Sequence, residues 1–128
     1  MTPLACATLL GRIEIMEKLL NYGANIFARD SENGDLPIHQ AVSNKNHVQI
    51  AQLLHDHGSH LDHLNNEGDT PLHVAAYYGN KRVAEWLINH RVDSKALNNE
   101  GTSPSDLAES SGHNEMAEWL RSCKSNVA

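Results

Sequence analysis

Nine histidines are the residues of this chain whose type and spacing first suggest chemistry. Four follow the pattern His55-x-His57-x-x-His60-x-x-His63, and His47 lies just before them. Imidazole nitrogens grouped in this way could bind zinc or nickel. Alternatively, they are exposed residues at a helix end and at the start of a hairpin. Because no cysteine lies nearby and the spacing is not that of a standard zinc site, we predict no metal site and no cofactor. A metal- or pH-responsive module remains the alternative.

The other reactive groups do not form a catalytic pattern. Cys6 and Cys123 lie 117 positions apart, which is no disulfide framework and favours a reducing compartment. We expect Cys6 inside the first helix, facing a neighbouring element, and Cys123 beyond the last helix. No nucleophile elbow, phosphate-binding loop, dinucleotide fingerprint or zinc-protease motif occurs. The sequence therefore predicts no catalytic residues and no enzyme.

Composition excludes further classes of protein. The 128 residues include 10 Lys and Arg against 16 Asp and Glu, and the net charge of −6 repels phosphate backbones. No apolar run approaches the roughly 20 residues that a bilayer crossing needs, and the first residues lack the regions of a signal peptide. We expect an acidic domain of the cytoplasm, or of the nucleus, that neither binds nucleic acid nor inserts into a membrane.

Two residue types recur at a fixed interval. The chain's four prolines are Pro3, Pro37, Pro71 and Pro104, spaced 34, 34 and 33 residues, and glycines precede the last three at positions 34, 68 and 101. In the third unit, Thr70 is a good N-cap before Pro71, and Gly79 is suited to end the short helix that follows. A second apolar run, 83–88, predicts a second helix. Each unit is therefore predicted to be a turn, a helix, a turn and a helix.

These units resemble the ankyrin repeat. The signature Thr-Pro-Leu-His-x-Ala-Ala is nearly complete at 70–76, and the ending Leu-Leu-x-x-Gly-Ala stands at 19–24. The resemblance covers residues 2 to about 122 and implies an all-α solenoid of helix-turn-helix units joined by short β-hairpin loops. One domain, 1–128, would hold repeats at about 2–34, 35–68, 69–101 and 102–124. It also implies that His39 and His73, the signature histidines, tie each first helix to the neighbouring hairpin. Arg91 stands where the pattern has glycine, so that helix end is expected to lack a left-handed cap.

The repeat register predicts the core and the places where residues are inserted. The expected core residues are Leu19, Leu20, Ile38, Ala41, Ile50, Leu53, Leu54, Leu72, Ala75, Ala76, Val83, Leu87, Leu107, Ala108, Met116 and Leu120. Single-residue insertions, one within 30–34 and one within 43–47, explain the spacings of 34, and both are expected in loops.

The two ends of the chain differ in kind. The last copy has polar residues, Ser105, Asp106 and Arg121, where earlier copies are apolar, which is typical of a capping repeat. The first copy is apolar and starts at a helix with no hairpin before it; its apolar residues are Leu4, Leu9, Leu10, Ile13, Ile15 and Met16. We expect either a chain excised from a longer protein or an end that contacts something, including a second copy of itself.

The candidate binding face follows from the resemblance, because the end of each first helix opens onto the concave groove of ankyrin repeats. The pairs at that position are Leu9 and Leu10, Ser43 and Asn44, Tyr77 and Tyr78, and Ser110 and Ser111. Exposed aromatic residues are typical binding anchors, although either tyrosine could instead pack along a neighbouring helix. The hairpin tips are acidic, with Asp30, Glu32, Asp35, Glu67, Asp69 and Glu100 against only Arg29. Such a stripe would attract a basic partner, or serve solubility alone.

The sequence thus predicts a non-catalytic module that binds a protein or peptide through the concave face. The predicted contact residues are Tyr77, Tyr78, Glu67, Asp69, Asp35, Glu32, Leu9, Leu10, Ser43 and Asn44. The alternative is a regulatory or substrate-recruiting domain of a larger enzyme or effector whose catalytic part lies outside this chain.

Overall fold

The computed structural model describes residues 2–43 and 48–123, which form eight helices. They come in pairs, one pair for each proline: α1 (Pro3–Leu10) and α2 (Ile13–Asn21), α3 (Pro37–Ser43) and α4 (Val48–Asp56), α5 (Pro71–Tyr78) and α6 (Lys81–Asn89), and α7 (Pro104–Ser110) and α8 (Asn114–Ser122). The predicted all-α fold is confirmed. The described residues contain no β-strand, so the expected hairpins are turns.

The first helix of each pair begins at its proline, as the sequence predicts. Thr2, Thr70 and Ser103 are N-caps whose hydroxyl oxygens accept from the backbone N–H three residues later, at 3.1–3.2 Å. Proline follows each cap, at a position where its missing N–H is not needed. At the start of α3 Leu36 replaces the hydroxyl residue, and there the ring of His39 accepts from the Leu36 N–H at 3.1 Å.

The helices form two layers. α1, α3, α5 and α7 contact one another in succession, and each of them also packs against the second helix of its own pair. In the other layer, α2, α4 and α6 follow the same order. Each unit therefore completes its core against its neighbours, as in other repeat proteins.

Most of the predicted core is buried. Of the expected residues, Leu20, Ile38, Ala41, Ile50, Leu54, Leu72, Ala75, Ala76, Val83, Leu87, Ala108, Met116 and Leu120 are at most 8% exposed. The prediction is wrong for Leu19, Leu53 and Leu107, which are half-buried. Leu19 and Leu53 lie at the edge of the core cluster, against residues that are fully buried.

The two ends depart in part from expectation. In the first copy Leu4 and Met16 are fully buried, whereas Leu10 and Ile15 are 70% and 50% exposed. In the last copy Ser105 is buried, contrary to its assignment to a polar outer face, and its hydroxyl is satisfied by that of Ser103 at 3.0 Å. Asp106 is exposed as predicted, and Arg121 bridges it to Glu109.

Three local predictions are corrected or settled. Arg91 adopts the left-handed conformation, with φ 65°, so α6 keeps the cap geometry without glycine. Cys6 is exposed, contrary to its expected position against a neighbouring copy. The insertion within 30–34 lengthens one turn, whereas the insertion expected within 43–47 falls mostly outside the described residues.

In the described part of the chain, no helix has both the length and the apolar character that a bilayer crossing requires.

Candidate protein-binding face

Three finger turns connect the repeats, at residues 30–35, 65–69 and 98–102. A backbone hydrogen bond of 3.0–3.1 Å closes each turn between its first and last residue. The first residue is Asp30, Asn65 or Asn98, and its side-chain oxygen accepts from two or three backbone N–H groups inside the turn. Such bonds are why Asp and Asn favour turns. The acidic side chains of the finger turns are thus carried on loops closed by repeated hydrogen bonds.

Neighbouring finger turns are joined by hydrogen bonds that repeat from one to the next. Asn65 Nδ2 donates to Asp35 Oδ1, and Asn98 Nδ2 donates to Asp69 Oδ1, both at 2.9 Å. The backbone N–H groups of Asn66 and Asn99 donate to carbonyls of the preceding turn at 2.9 and 3.0 Å. Asp35 and Asp69 therefore help to hold the face together as well as giving it negative charge.

The signature histidines link the helices to the finger turns, as the family resemblance implies. The Nε2 atoms of His39 and His73 lie 3.0 and 2.9 Å from the carbonyl oxygens of Asp69 and Thr102. Each Nδ1 accepts a backbone N–H at 3.1 Å, which leaves Nε2–H as the donor. Burial lowers the pKa of both imidazoles, mainly because it removes water from the charged form. These neutral side chains fix the end of each finger turn against the next first helix.

A cleft of about 340 Å³ lies between the finger turns and the helices α5 and α7. Tyr77 and Tyr78, the tyrosine pair, are 53% and 54% exposed at its edge, and their rings meet edge to face at 5.0 Å. The acidic rim of the cleft comprises Asp35, Glu67, Asp69 and Glu100. The remaining lining residues are Asn33, Asn65, Val74, Asn98, Thr102 and Leu107. None of these lining residues is basic, so the cleft joins aromatic surface to concentrated negative charge.

The structure brings half of the predicted contact residues into this cleft. They are Tyr77, Tyr78, Glu67, Asp69 and Asp35. Glu32, Leu9, Leu10 and Ser43 do not line it, and Asn44 lies outside the described residues. Leu107, which sequence reasoning assigned to the core, lines the cleft. The position of Leu107 in the cleft could have been predicted from the repeat register, because Leu107 stands in the same repeat position as the half-buried Val74.

The histidine-rich stretch divides into separate groups. His55 lies with Trp86 and His90 on the outer helices, with ring centroids 5.9 and 5.0 Å away. His57 is exposed, and its Nδ1 is hydrogen-bonded to the Leu53 carbonyl oxygen at 3.0 Å. His60 and His63 come together further along the loop, with ring centroids 4.9 Å apart. The four-histidine cluster suggested by the spacing does not form, and His47 lies outside the described residues.

Sequence comparisons agree with the observed repeats. A family model of ankyrin repeats (three copies) matches residues 38–128, and one of ankyrin repeats (many copies) matches residues 4–55. The fowlpox virus ankyrin repeat protein FPV031 is 40% identical over 78 residues, covering 61% of this chain and 23% of the relative. Human Rabankyrin-5 is 41% identical over 85 residues, covering 66% and 7%. Rat transient receptor potential cation channel subfamily V member 5 is 38% identical over 87 residues, covering 61% and 12%.

The chain thus spans less than a quarter of the length of each of these relatives. Its repeated helix pairs, the finger turns and the matches over both halves of the sequence lead to one assignment. The chain belongs to the ankyrin-repeat family, whose domains are in general non-catalytic protein–protein interaction modules.

Proposed function

We propose that this domain binds a basic segment of a partner protein in the cleft between the tyrosine pair and the acidic rim, on the concave face. The observation that carries the proposal is that two exposed aromatic rings and four carboxylates line the same cleft. Aromatic side chains supply much of the energy of protein interfaces. Carboxylates beside them favour lysine or arginine over other residues.

The tyrosine pair is suited to act as the anchor. Both residues belong to the last turn of α5, which Gly79 ends with φ 69°, so the backbone beneath the rings is fixed. Tyrosine has few rotatable bonds and therefore loses little conformational entropy when a partner covers it. An arginine guanidinium or a lysine ammonium could lie against a ring face, where cation–π attraction adds to the contact.

The acidic rim supplies charge in two ways. Asp35 and Asp69 are half-buried and already accept hydrogen bonds from the next finger turn. Glu67 and Glu100 are exposed, at equivalent positions of successive turns. We therefore assign attraction of the partner mainly to these two glutamates. Removing their charge should affect association more than folding, because exposed charges act chiefly on the rate of encounter.

The test begins with selection of random peptides on the intact domain. We expect the selected peptides to be rich in Lys and Arg. Tyr77→Ala combined with Tyr78→Ala should weaken their binding by about 30-fold or more, which is about 2 kcal/mol, mostly through faster dissociation. Glu67→Gln with Glu100→Gln should slow association and reduce its dependence on salt.

The matched control is Tyr22→Ala. Tyr22 is 91% exposed but lies at the end of α2, in the first repeat, so this variant should bind as the parent does. Selected peptides that are acidic or uncharged would contradict the proposed partner chemistry. Tight binding that survives loss of the tyrosine pair would place recognition elsewhere, and unfolding of that variant would assign the rings to the core.

A second proposal concerns the setting of the domain. The matched region makes up 7–23% of the relatives described above, which favours a recruiting or regulatory segment within a longer protein. In that setting the cleft would bring a substrate or a regulator to an enzyme or effector. Sequencing the complete reading frame tests this, and a frame confined to these 128 residues would contradict it.

A further inference from the structure

Three side chains with metal-binding atoms converge in the loop after α4. They are His60, Asp62 and His63, and one ligand atom from each lies within 4.8 Å of the other two. His60 and Asp62 are exposed, and His63 is half-buried. An ion could therefore reach all three side chains from solvent.

The loop that carries these side chains is held by the core. Ser59 and Leu61, which alternate with the cluster residues, are only 5% and 9% exposed. Phe27, from the loop of the preceding repeat, packs against both imidazoles, with its ring centroid 5.9 Å from that of His60 and 5.7 Å from that of His63. The two rings thus pack against an aromatic side chain on one side, while their nitrogens remain close to the carboxylate.

We propose that His60, Asp62 and His63 bind a single divalent transition-metal ion of the zinc type. Two imidazole nitrogens and one carboxylate oxygen suit Zn²⁺, Co²⁺ and Ni²⁺, whereas Mg²⁺ and Ca²⁺ prefer sites built from oxygen alone. Ligands about 2.0–2.1 Å from a tetrahedral ion are roughly 3.4 Å apart, and the three atoms lie within 4.8 Å of one another, so they need to close by at most about 1.4 Å. Rotation of the exposed side chains supplies that movement, and the fourth position is left to water or to a donor from a partner.

The surroundings limit the strength of the site. Arg29 lines the same shallow cleft, and its Nη1 donates to the carbonyls of Leu64 and Gly34 at 2.6 and 3.0 Å. The guanidinium is held in place, and its charge opposes a bound cation. Asp62 supplies the compensating negative charge, so its carboxylate is predicted to matter as much as either imidazole.

The site also has a structural connection to the finger turns. His63 is separated by one residue, Leu64, from Asn65, which begins the finger turn 65–69. A metal ion that joins His60 to His63 would restrict the loop leading into this turn. The metal proposal does not depend on the proposed peptide binding, because its evidence is a different set of side chains.

The test is isothermal titration of the full chain, free of any histidine tag, with zinc chloride in a buffer that does not chelate metals. We expect one site per chain, and titration with cobalt(II) should give the visible absorption of a four-coordinate ion. His60→Asn, Asp62→Asn and His63→Asn should each weaken zinc binding at least about tenfold. The controls are His57→Asn and His90→Asn, which change exposed histidines outside the cluster and should leave binding unchanged.

Circular dichroism shows whether each variant keeps its helices. His60 is exposed, so its variant keeps the proposal testable even if substitution of the half-buried His63 disturbs the fold. Absence of zinc binding to the parent chain would overturn the proposal. So would binding that persists in folded His60→Asn and His63→Asn variants, or binding that is lost in the controls instead.

Discussion

Leu72 offers the sharpest test of how the repeats are packed. It is the second residue of α5, which contacts α3, α6 and α7, and only 1% of its surface is exposed. Full burial of a leucine side chain contributes about 1.5–3 kcal/mol. Truncation also leaves a cavity, so Leu72→Ala should lower the free energy of unfolding by about 2–5 kcal/mol.

Urea denaturation followed by circular dichroism measures this change. With a slope of about 1–3 kcal/mol per molar urea, a loss of about 3 kcal/mol lowers the midpoint by roughly 1–3 M. Leu97→Ala is the matched control, because Leu97 is 64% exposed and its truncation should change stability by less than about 0.5 kcal/mol. Hydrogen exchange should also quicken in α3 and α7, since each repeat interface is shared. Equal effects of the two substitutions would refute the packing argument.

Four further outcomes are expected. Thr70→Ala should lower the free energy of unfolding by about 1 kcal/mol in urea denaturation, because it removes the hydroxyl cap of α5. Arg91→Gly should raise the urea midpoint, corresponding to about 0.5–1 kcal/mol, because glycine tolerates the positive φ. Burial lowers the pKa of the signature histidines, so the unfolded chain binds more protons below about pH 6.5. The free energy of unfolding should therefore keep its highest value above that pH and decrease on acidification towards pH 5.5. A free energy of unfolding that does not change over this pH range would contradict this. Sedimentation should detect self-association that Leu10→Gln with Ile15→Gln reduces, because both side chains are exposed and apolar.

Much of the fold could be predicted because the repeat signals are local. A hydroxyl cap followed by proline starts a helix wherever it occurs, as Thr2, Thr70 and Ser103 illustrate. The inserted residue in the first finger turn was also predictable, since that turn closes from 30 to 35, whereas the next closes over one residue fewer, from 65 to 69. These features depend on neighbours in sequence, which a single chain displays.

The departures arise where the packing around a residue, rather than its own type, decides its conformation or its burial. Arg91 takes a left-handed conformation because the helix pair imposes the same turn there as in its neighbours, despite the strain. Ser105 is polar by type, yet it is buried, and the hydroxyl of Ser103 satisfies its own. The type of a side chain does not by itself give the turn it must adopt or the burial it reaches.

The candidate site was predictable in part for the same reason. Repeat register placed the tyrosine pair and the acidic finger turns near one another. The close spacing of the four histidines from His55 to His63 suggested one cluster, but α4 ends within that stretch. The helix directs His55 towards Trp86, whereas the following loop directs His60 towards Phe27. A change of backbone conformation inside a motif separates residues that look adjacent in sequence.

In each of these hydrogen bonds between finger turns, the later turn donates and the earlier turn accepts. Residues 69–101 therefore form a unit that can be duplicated within the chain. The later turn donates through its two asparagines, and the earlier turn accepts through a carboxylate and main-chain carbonyls. A duplicate of residues 69–101 inserted after position 101 would bring its own Asp69 to accept from its own Asn98. Its Asn99 would meet the carbonyl of Glu100, as the original Asn99 meets that of Glu67. The array can therefore be lengthened by whole repeats without changing the residues that connect neighbouring finger turns. Each added repeat adds one acidic finger turn.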